Sequence, residues 1–357
     1  MADISTCSPL TRDSVVEAHN LIKSKVHCTP VLTSTYLNQL ASTPQPVTVT
    51  GDKEPAEPIL RLWFKCENLQ RIGAFKARGA FHAMEKLKKE PNWLENGGAS
   101  KGVVCFSAGN HAQAVALAAR ESQITAHIVM PETSSPVKLR SVEGYDASLT
   151  LCGRFEREAC AAEIIERTGA RLISPFDHSD IILGQGTAGL ELQEQVENLD
   201  AIVAPCSGGG LLSGTALSCE GTGIRVYGAE PEFEGADDGR RGFLSGTRVT
   251  HVETNTIADG LVGKLGVCPW NIIYERRLVS MMYAVTEENI LNAMKLIFER
   301  LKLVVEPAAA VPLAVVLYNE EFREMVETTA GKDGWDVGII LSGGNVGVER
   351  ISDLFAR

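Results

Sequence analysis

Residues 201–214 read Ala201-Ile-Val-Ala-Pro-Cys-Ser-Gly-Gly-Gly-Leu-Leu-Ser-Gly, and the fold is decided here. The unbroken run Ala201–Cys206 has the pattern of a strand buried on both faces, which is characteristic of parallel sheets. Ser207 and three glycines interrupt it, and a helical pattern follows over Leu211–Cys219. Without Cβ atoms at Gly208, Gly209 and Gly210 the chain can wrap an anion closely, and the helix start behind them supplies unpaired N–H groups. On this turn alone two ligands stay open. One is a phosphate-bearing cofactor. The other is a dinucleotide, because Gly208-x-Gly210 leads into a helix and a strand, with Glu230 about 20 residues on, where a ribose-binding acid would sit. A purely structural turn is disfavoured, since three consecutive glycines cost backbone entropy.

Working outward, the same strand–turn–helix unit recurs. Val103–Phe106 precedes a helical pattern at Asn110–Arg120, Ala126–Met130 precedes Pro136–Glu143, and Ser148–Cys152 precedes Glu156–Arg167. Arg225–Ala229 follows the 211–219 helix, and Ile59–Cys66 reads as a further strand. Before it lie an amphipathic segment near Thr11–Val26 and a polar, proline-containing stretch, Ala41–Glu57, that reads as a surface loop. The alternation predicts an α/β fold of open twisted, mostly parallel sheets with helices on both faces. Such folds bind ligands at the carboxyl ends of strands. Two more strand-end turns therefore matter: Ser107-Ala-Gly-Asn-His111 and Ser342-Gly-Gly-Asn345.

A chain of 357 residues can bury a large core, divided into two lobes. Lys+Arg 34 against Asp+Glu 45 gives a net charge of −11, and no basic run interrupts it. That balance argues against nucleic acid and anionic membrane surfaces. No apolar stretch approaches the ~18 residues of a membrane span, and the N-terminus shows neither the basic start nor the apolar core of a secretory leader. Nine cysteines without a CxxC pair suggest neither a zinc knuckle nor a thioredoxin-type site. Cys105 and Cys206 fall in apolar runs, as reduced buried thiols do. A reducing, cytoplasmic compartment is expected.

One lysine stands apart. In Gly73-Ala-Phe-Lys-Ala-Arg-Gly-Ala80, Lys76 falls at a helix mouth between Phe75 and small residues. A positive helix end and an apolar neighbour both disfavour its charge, which lowers its pKa and makes it a usable amine.

Together the four segments Gly73–Ala80, Ser107–His111, Ser207–Leu211 and Ser342–Asn345, in that order over nearly the whole chain, resemble the pyridoxal-phosphate enzymes of the tryptophan-synthase-β type. Within these they resemble the serine racemase and serine/threonine dehydratase family. Thr256-Ile-Ala-Asp-Gly260 and the stretch ending Glu306-Pro-Ala308 are similar to the serine racemases too. A dinucleotide has no use for Lys76 or Ser342 and is set aside. The resemblance implies pyridoxal 5′-phosphate held between a large domain (1–101 plus 179–357) and a small mobile one (102–178), in a homodimer. It implies that Lys76 carries the covalent link to the cofactor and removes the α-proton of the substrate. Phe75 would flank the ring, Asn110 contact its phenolic oxygen and Ser342 its pyridine nitrogen. Ser207, Gly208, Gly209, Gly210 and Leu211 would cradle the phosphate. Ser107, Ala108, Asn110 and His111, assisted by Arg157, would grip the substrate carboxylate.

The resemblance also implies a divalent cation, Mg²⁺ or else Ca²⁺ or Mn²⁺, on Glu230, the Ala236 carbonyl and Asp238, although Glu230–Asp238 carries two more residues than the family's segment. The oxygen donors suit a hard cation. A neutral Ser342 makes the cofactor a weaker electron sink than a carboxylate would, which suits α,β-elimination of L-serine, L-threonine or 3-hydroxyaspartate to a 2-oxo acid and ammonia. The alternative is a racemase with side elimination. It needs a second proton donor, a serine hydroxyl in serine racemases, at the place where this chain has Ala108.

Overall fold

The computed structural model describes residues 10–45, 54–107, 109–134, 136–153 and 156–356. Ala108 and residues 46–53 of the Ala41–Glu57 loop fall outside them. The chain builds two sheets. One is ordered β1 (Val31–Leu32), β2 (Leu60–Lys65), β10 (Trp335–Ile340), β7 (Ala201–Pro205), β8 (Arg225–Pro231) and β9 (Met281–Val285). All its pairings are parallel except the short antiparallel β1–β2 edge. The other, all parallel, is ordered β5 (Ser148–Cys152), β4 (Ala126–Pro131), β3 (Val103–Phe106) and β6 (Arg171–Leu172).

Every residue of β7 is buried because helices cover both faces of its sheet. On one face, Val203, Val337 and Ile339 join the Pro307–Tyr318 helix in one apolar cluster. On the other, Ile202, Ala204 and Ile340 pack with the Ser179–Gln195 and Gly210–Cys219 helices. In the Pro307–Tyr318 helix all residues but the last are buried. Such a helix, apolar on every side, belongs in a core.

The strand order places the site. β7 and β10 are neighbours, so the glycine turn after β7 and Ser342 after β10 emerge side by side. An isolated bridge pairs Ala74 with Gly343, and the Phe75 N–H donates to the Ser342 carbonyl at 3.0 Å. That stitch fixes the mouth of the Lys76–Lys88 helix beside the end of β10. No helix among the described residues is long and apolar enough to cross a membrane.

Candidate active site

Lys76 opens its helix as the first residue, half-buried, and its Nζ donates to the Pro175 carbonyl at 2.6 Å. The ammonium sits 5.1 Å from the centroid of the Phe75 ring. Burial pushes its pKa down to about 8, with the Glu306 carboxylate pulling the other way. A neutral amine is therefore available only slightly above neutrality, as a nucleophile or a base requires.

Around Lys76 converge residues far apart in sequence. Asn110, first in the Asn110–Glu121 helix after β3, donates from Nδ2 to both oxygens of Glu306, at 2.9 and 3.2 Å. Its Oδ1 accepts from Asn345 Nδ2 at 2.8 Å, and the same Nδ2 donates to the Ile72 carbonyl at 2.7 Å. Ile72 holds φ 59°, a left-handed conformation costly for a β-branched side chain. Gly73 follows at φ 71°, and its carbonyl accepts from Gly344 N–H at 2.9 Å. Asn345 and Gly344 thus tie down the strained turn that leads into Lys76.

The glycine turn has the shape of an anion cradle. Gly209 sits at φ 89°, and a Cβ there would come within 2.4 Å of Leu265. A Cβ on Gly208 would strike the Phe176 ring at 2.2 Å, and one on Gly210 would meet Gln185 Oε1 at 2.5 Å. Only glycine fits at all three. Ser207 Oγ donates to the Gly263 carbonyl and accepts from Gly263 N–H, each at 2.9 Å, so its hydroxyl anchors the loop. The first N–H groups of the Gly210–Cys219 helix are then free for a phosphate. Amine, glycine cradle, ring-orienting amide and strand-end serine together fit pyridoxal 5′-phosphate.

Other expected residues lie as follows. Ser107 Oγ accepts from Gly109 N–H at 3.3 Å in the turn after β3. His111 is buried with Nε2 3.0 Å from the Ile173 carbonyl and Nδ1 unpartnered, and burial plus the Lys76 charge hold its pKa down to about 3. A neutral ring that donates from Nε2 has only a lone pair on Nδ1, which cannot donate to a carboxylate. His111 is therefore not a side-chain donor at this turn. Arg157 opens the Arg157–Thr168 helix after β5, which packs against β3 and β4.

Glu230 and Asp238 come together. Glu230 is fully buried, with Oε1 accepting from Gly239 N–H at 3.2 Å and Oε2 from Arg240 N–H at 2.8 Å, so it is closed to a ribose. Burial and the Asp238 charge push its pKa well up, and burial raises Asp238 to about 6. The extra residues are absorbed by a short 3₁₀ turn, Phe233–Gly235, that brings buried Ala236 next to Asp238. No cluster of three or more metal-ligating side chains occurs among the described residues.

Pro175 and Gln185 were not singled out by sequence, and Glu306 and Asn345 entered only as members of motifs, without a role of their own. Glu306 stands at the N-cap position of an apolar helix and Gln185 is one of several polar residues in its own, so local pattern carried no sign of either role.

Comparison with known proteins agrees with this geometry. A family model described as pyridoxal-phosphate dependent enzyme matches residues 44–343. A serine racemase of Dictyostelium discoideum is 42% identical over 97% of this chain and 98% of its own. An L-threo-3-hydroxyaspartate ammonia-lyase of Saccharomyces cerevisiae is 40% identical over 97% of this chain and 96% of its own. The structure of maize serine racemase superposes with a TM-score of 0.84 at 38% identity, covering 98% of both chains.

Proposed function

The chain belongs to the pyridoxal-phosphate dependent enzymes, and from that premise we propose that it is an ammonia-lyase for 3-hydroxy amino acids, releasing a 2-oxo acid and ammonia. The observation that carries the reading is Lys76: a half-buried amine with a lowered pKa, where the glycine cradle, Asn110 and Ser342 meet. When bound, pyridoxal phosphate supplies an electron sink conjugated to the α-carbon of the amino acid.

The chain supplies the rest. Backbone N–H groups of Ser207, Gly208, Gly209, Gly210 and Leu211 hold the phosphate. Phe75 flanks the ring. The Asn110 amide, one hydrogen committed to Glu306, turns the other toward the phenolic oxygen. Ser342 offers a neutral hydroxyl to the ring nitrogen, so negative charge at the α-carbon is not long stabilised. The Ser107 hydroxyl and the N–H groups of Ala108, Asn110 and His111 receive the substrate carboxylate. Closure of the small domain, 102–178, brings Arg157 to it and excludes water. Lys76 takes the α-proton and the β-hydroxyl departs as water. Hydrolysis of the dehydrated amino acid then gives the 2-oxo acid and ammonia. Relatives of both kinds, a serine racemase and a hydroxyaspartate ammonia-lyase, support 3-hydroxy amino acids as the substrate class. Racemisation is the second reading, favoured by the serine racemase relatives and opposed by Ala108, which has no proton to give.

Two buried carboxylates of raised pKa support a structural Mg²⁺ (or Ca²⁺ or Mn²⁺) on Glu230, the Ala236 carbonyl and Asp238, whose charge would keep both acids ionised. The enzyme works as a homodimer in the cytoplasm. None of the eight described cysteines is in a disulfide, in keeping with a reducing compartment.

Lys76→Ala tests the reading. Turnover vanishes, and the visible absorbance of protein mixed with pyridoxal phosphate reverts to that of the free cofactor. A variant with unaltered spectrum and activity overturns the assignment.

A further inference from the structure

We propose that Gln185 is an additional ligand of the cofactor phosphate, its side-chain amide donating to a phosphate oxygen alongside the backbone of the glycine turn. This rests on the pyridoxal-phosphate reading above and adds a residue to it.

Gln185 lies in the second turn of the Ser179–Gln195 helix and is fully buried. Neither its Oε1 nor its Nε2 has a hydrogen-bond partner among the described residues. A buried amide without partners costs on the order of 1–3 kcal/mol, so it calls for an explanation. Its surroundings supply one. The amide lies between the first turns of two helices. A Cβ on Gly79, in the Lys76–Lys88 helix, would stand 3.2 Å from Nε2, and a Cβ on Gly210, which opens the Gly210–Cys219 helix, would stand 2.5 Å from Oε1. Two helix starts therefore carry glycine where this amide needs room. The N–H groups opening the Gly210–Cys219 helix lack intrahelical acceptors, as do those opening any helix.

An amide with no partner has nothing to fix which end faces which neighbour. Turned over, Gln185 presents Nε2 to the Gly210 side, where the backbone donors already gather. An anion there satisfies both the helix N-terminus and the orphaned amide. Phe176, whose ring packs on Gly208, limits access of water to the same corner.

The test compares pyridoxal 5′-phosphate with pyridoxal, which lacks the phosphate, on cofactor-stripped protein. Gln185→Met keeps the length and removes the amide. It is expected to weaken pyridoxal phosphate binding by roughly tenfold or more, as loss of a hydrogen bond to a charged group does. Pyridoxal binding should change less than twofold, and the melting temperature of the stripped protein should not fall. Gln185→Glu, which sets a carboxylate against the phosphate, should weaken pyridoxal phosphate binding further, and it serves alone should the Met variant not fold. Equal losses for the two ligands, or unchanged pyridoxal phosphate binding, overturn the proposal. Failure of the cofactor reading looks different: the unmodified protein then develops no visible absorbance with pyridoxal phosphate.

Discussion

At the scale of single residues, burial works against the charged forms of two nitrogen bases. Lys76 is brought down to about 8 mainly by burial, and His111 to about 3 by burial with the Lys76 charge added. His111 carries a measurable consequence. Above its ordinary pKa of about 6.5 it is neutral whether folded or unfolded and has no effect. Below that, the unfolded chain takes a proton that the folded protein refuses until about pH 3, so stability falls as pH falls. At pH 5 the loss is roughly 2 kcal/mol. His111→Gln removes it, so thermal melts of the variant from pH 7 to pH 5 should decline less steeply than those of the unmodified protein. Parallel slopes would show that His111 is not held neutral. Lys76 and Asn110 could be singled out in the sequence because each opens a helix within a short motif. Glu306 could not, because it meets Asn110 across 196 positions, by a contact with no local signature.

At the scale of elements, the glycine turn shows how one conformation serves both folding and binding. Gly209 is the left-handed residue that starts the Gly210–Cys219 helix, with Leu265 and Pro269 closed over it. Gly209→Ala meets both the penalty for positive φ and a contact at 2.4 Å, and should destabilise the protein by about 1–3 kcal/mol. The denaturation midpoint should drop and pyridoxal phosphate affinity should fall with it; an unchanged midpoint would show that the turn has slack. Strand-and-helix alternation made β2, β3, β4, β5, β7 and β8 legible, since each is an apolar run before a polar or glycine turn. The Pro307–Tyr318 helix escaped because an element apolar on every side has no 3.6-residue stripe. The two-residue β1 and β6 are too short for any pattern.

At the scale of the whole molecule, β8 of the larger sheet carries near its end the buried Glu230, whose carboxyl accepts from the Gly239 and Arg240 N–H groups. If Glu230 and Asp238 hold a cation, a chelator should lower the melting temperature and the activity, and Mg²⁺ should restore both. Indifference to both treatments would leave Glu230 as a protonated acid hydrogen-bonded to backbone amides. With Ala108 where the serine racemases carry a proton-donating serine, elimination without racemisation is expected. A positioned acid is worth about a hundredfold or more in rate. The most direct test incubates the purified enzyme with L-serine, L-threonine and L-threo-3-hydroxyaspartate, and measures 2-oxo acid, ammonia and the opposite enantiomer together. The expected result is 2-oxo acid and ammonia in equal amounts, D-serine at no more than about a hundredth of the pyruvate rate, and a rise in D-serine on Ala108→Ser with elimination of L-serine retained. D-serine formed by the unmodified enzyme as fast as pyruvate would contradict it.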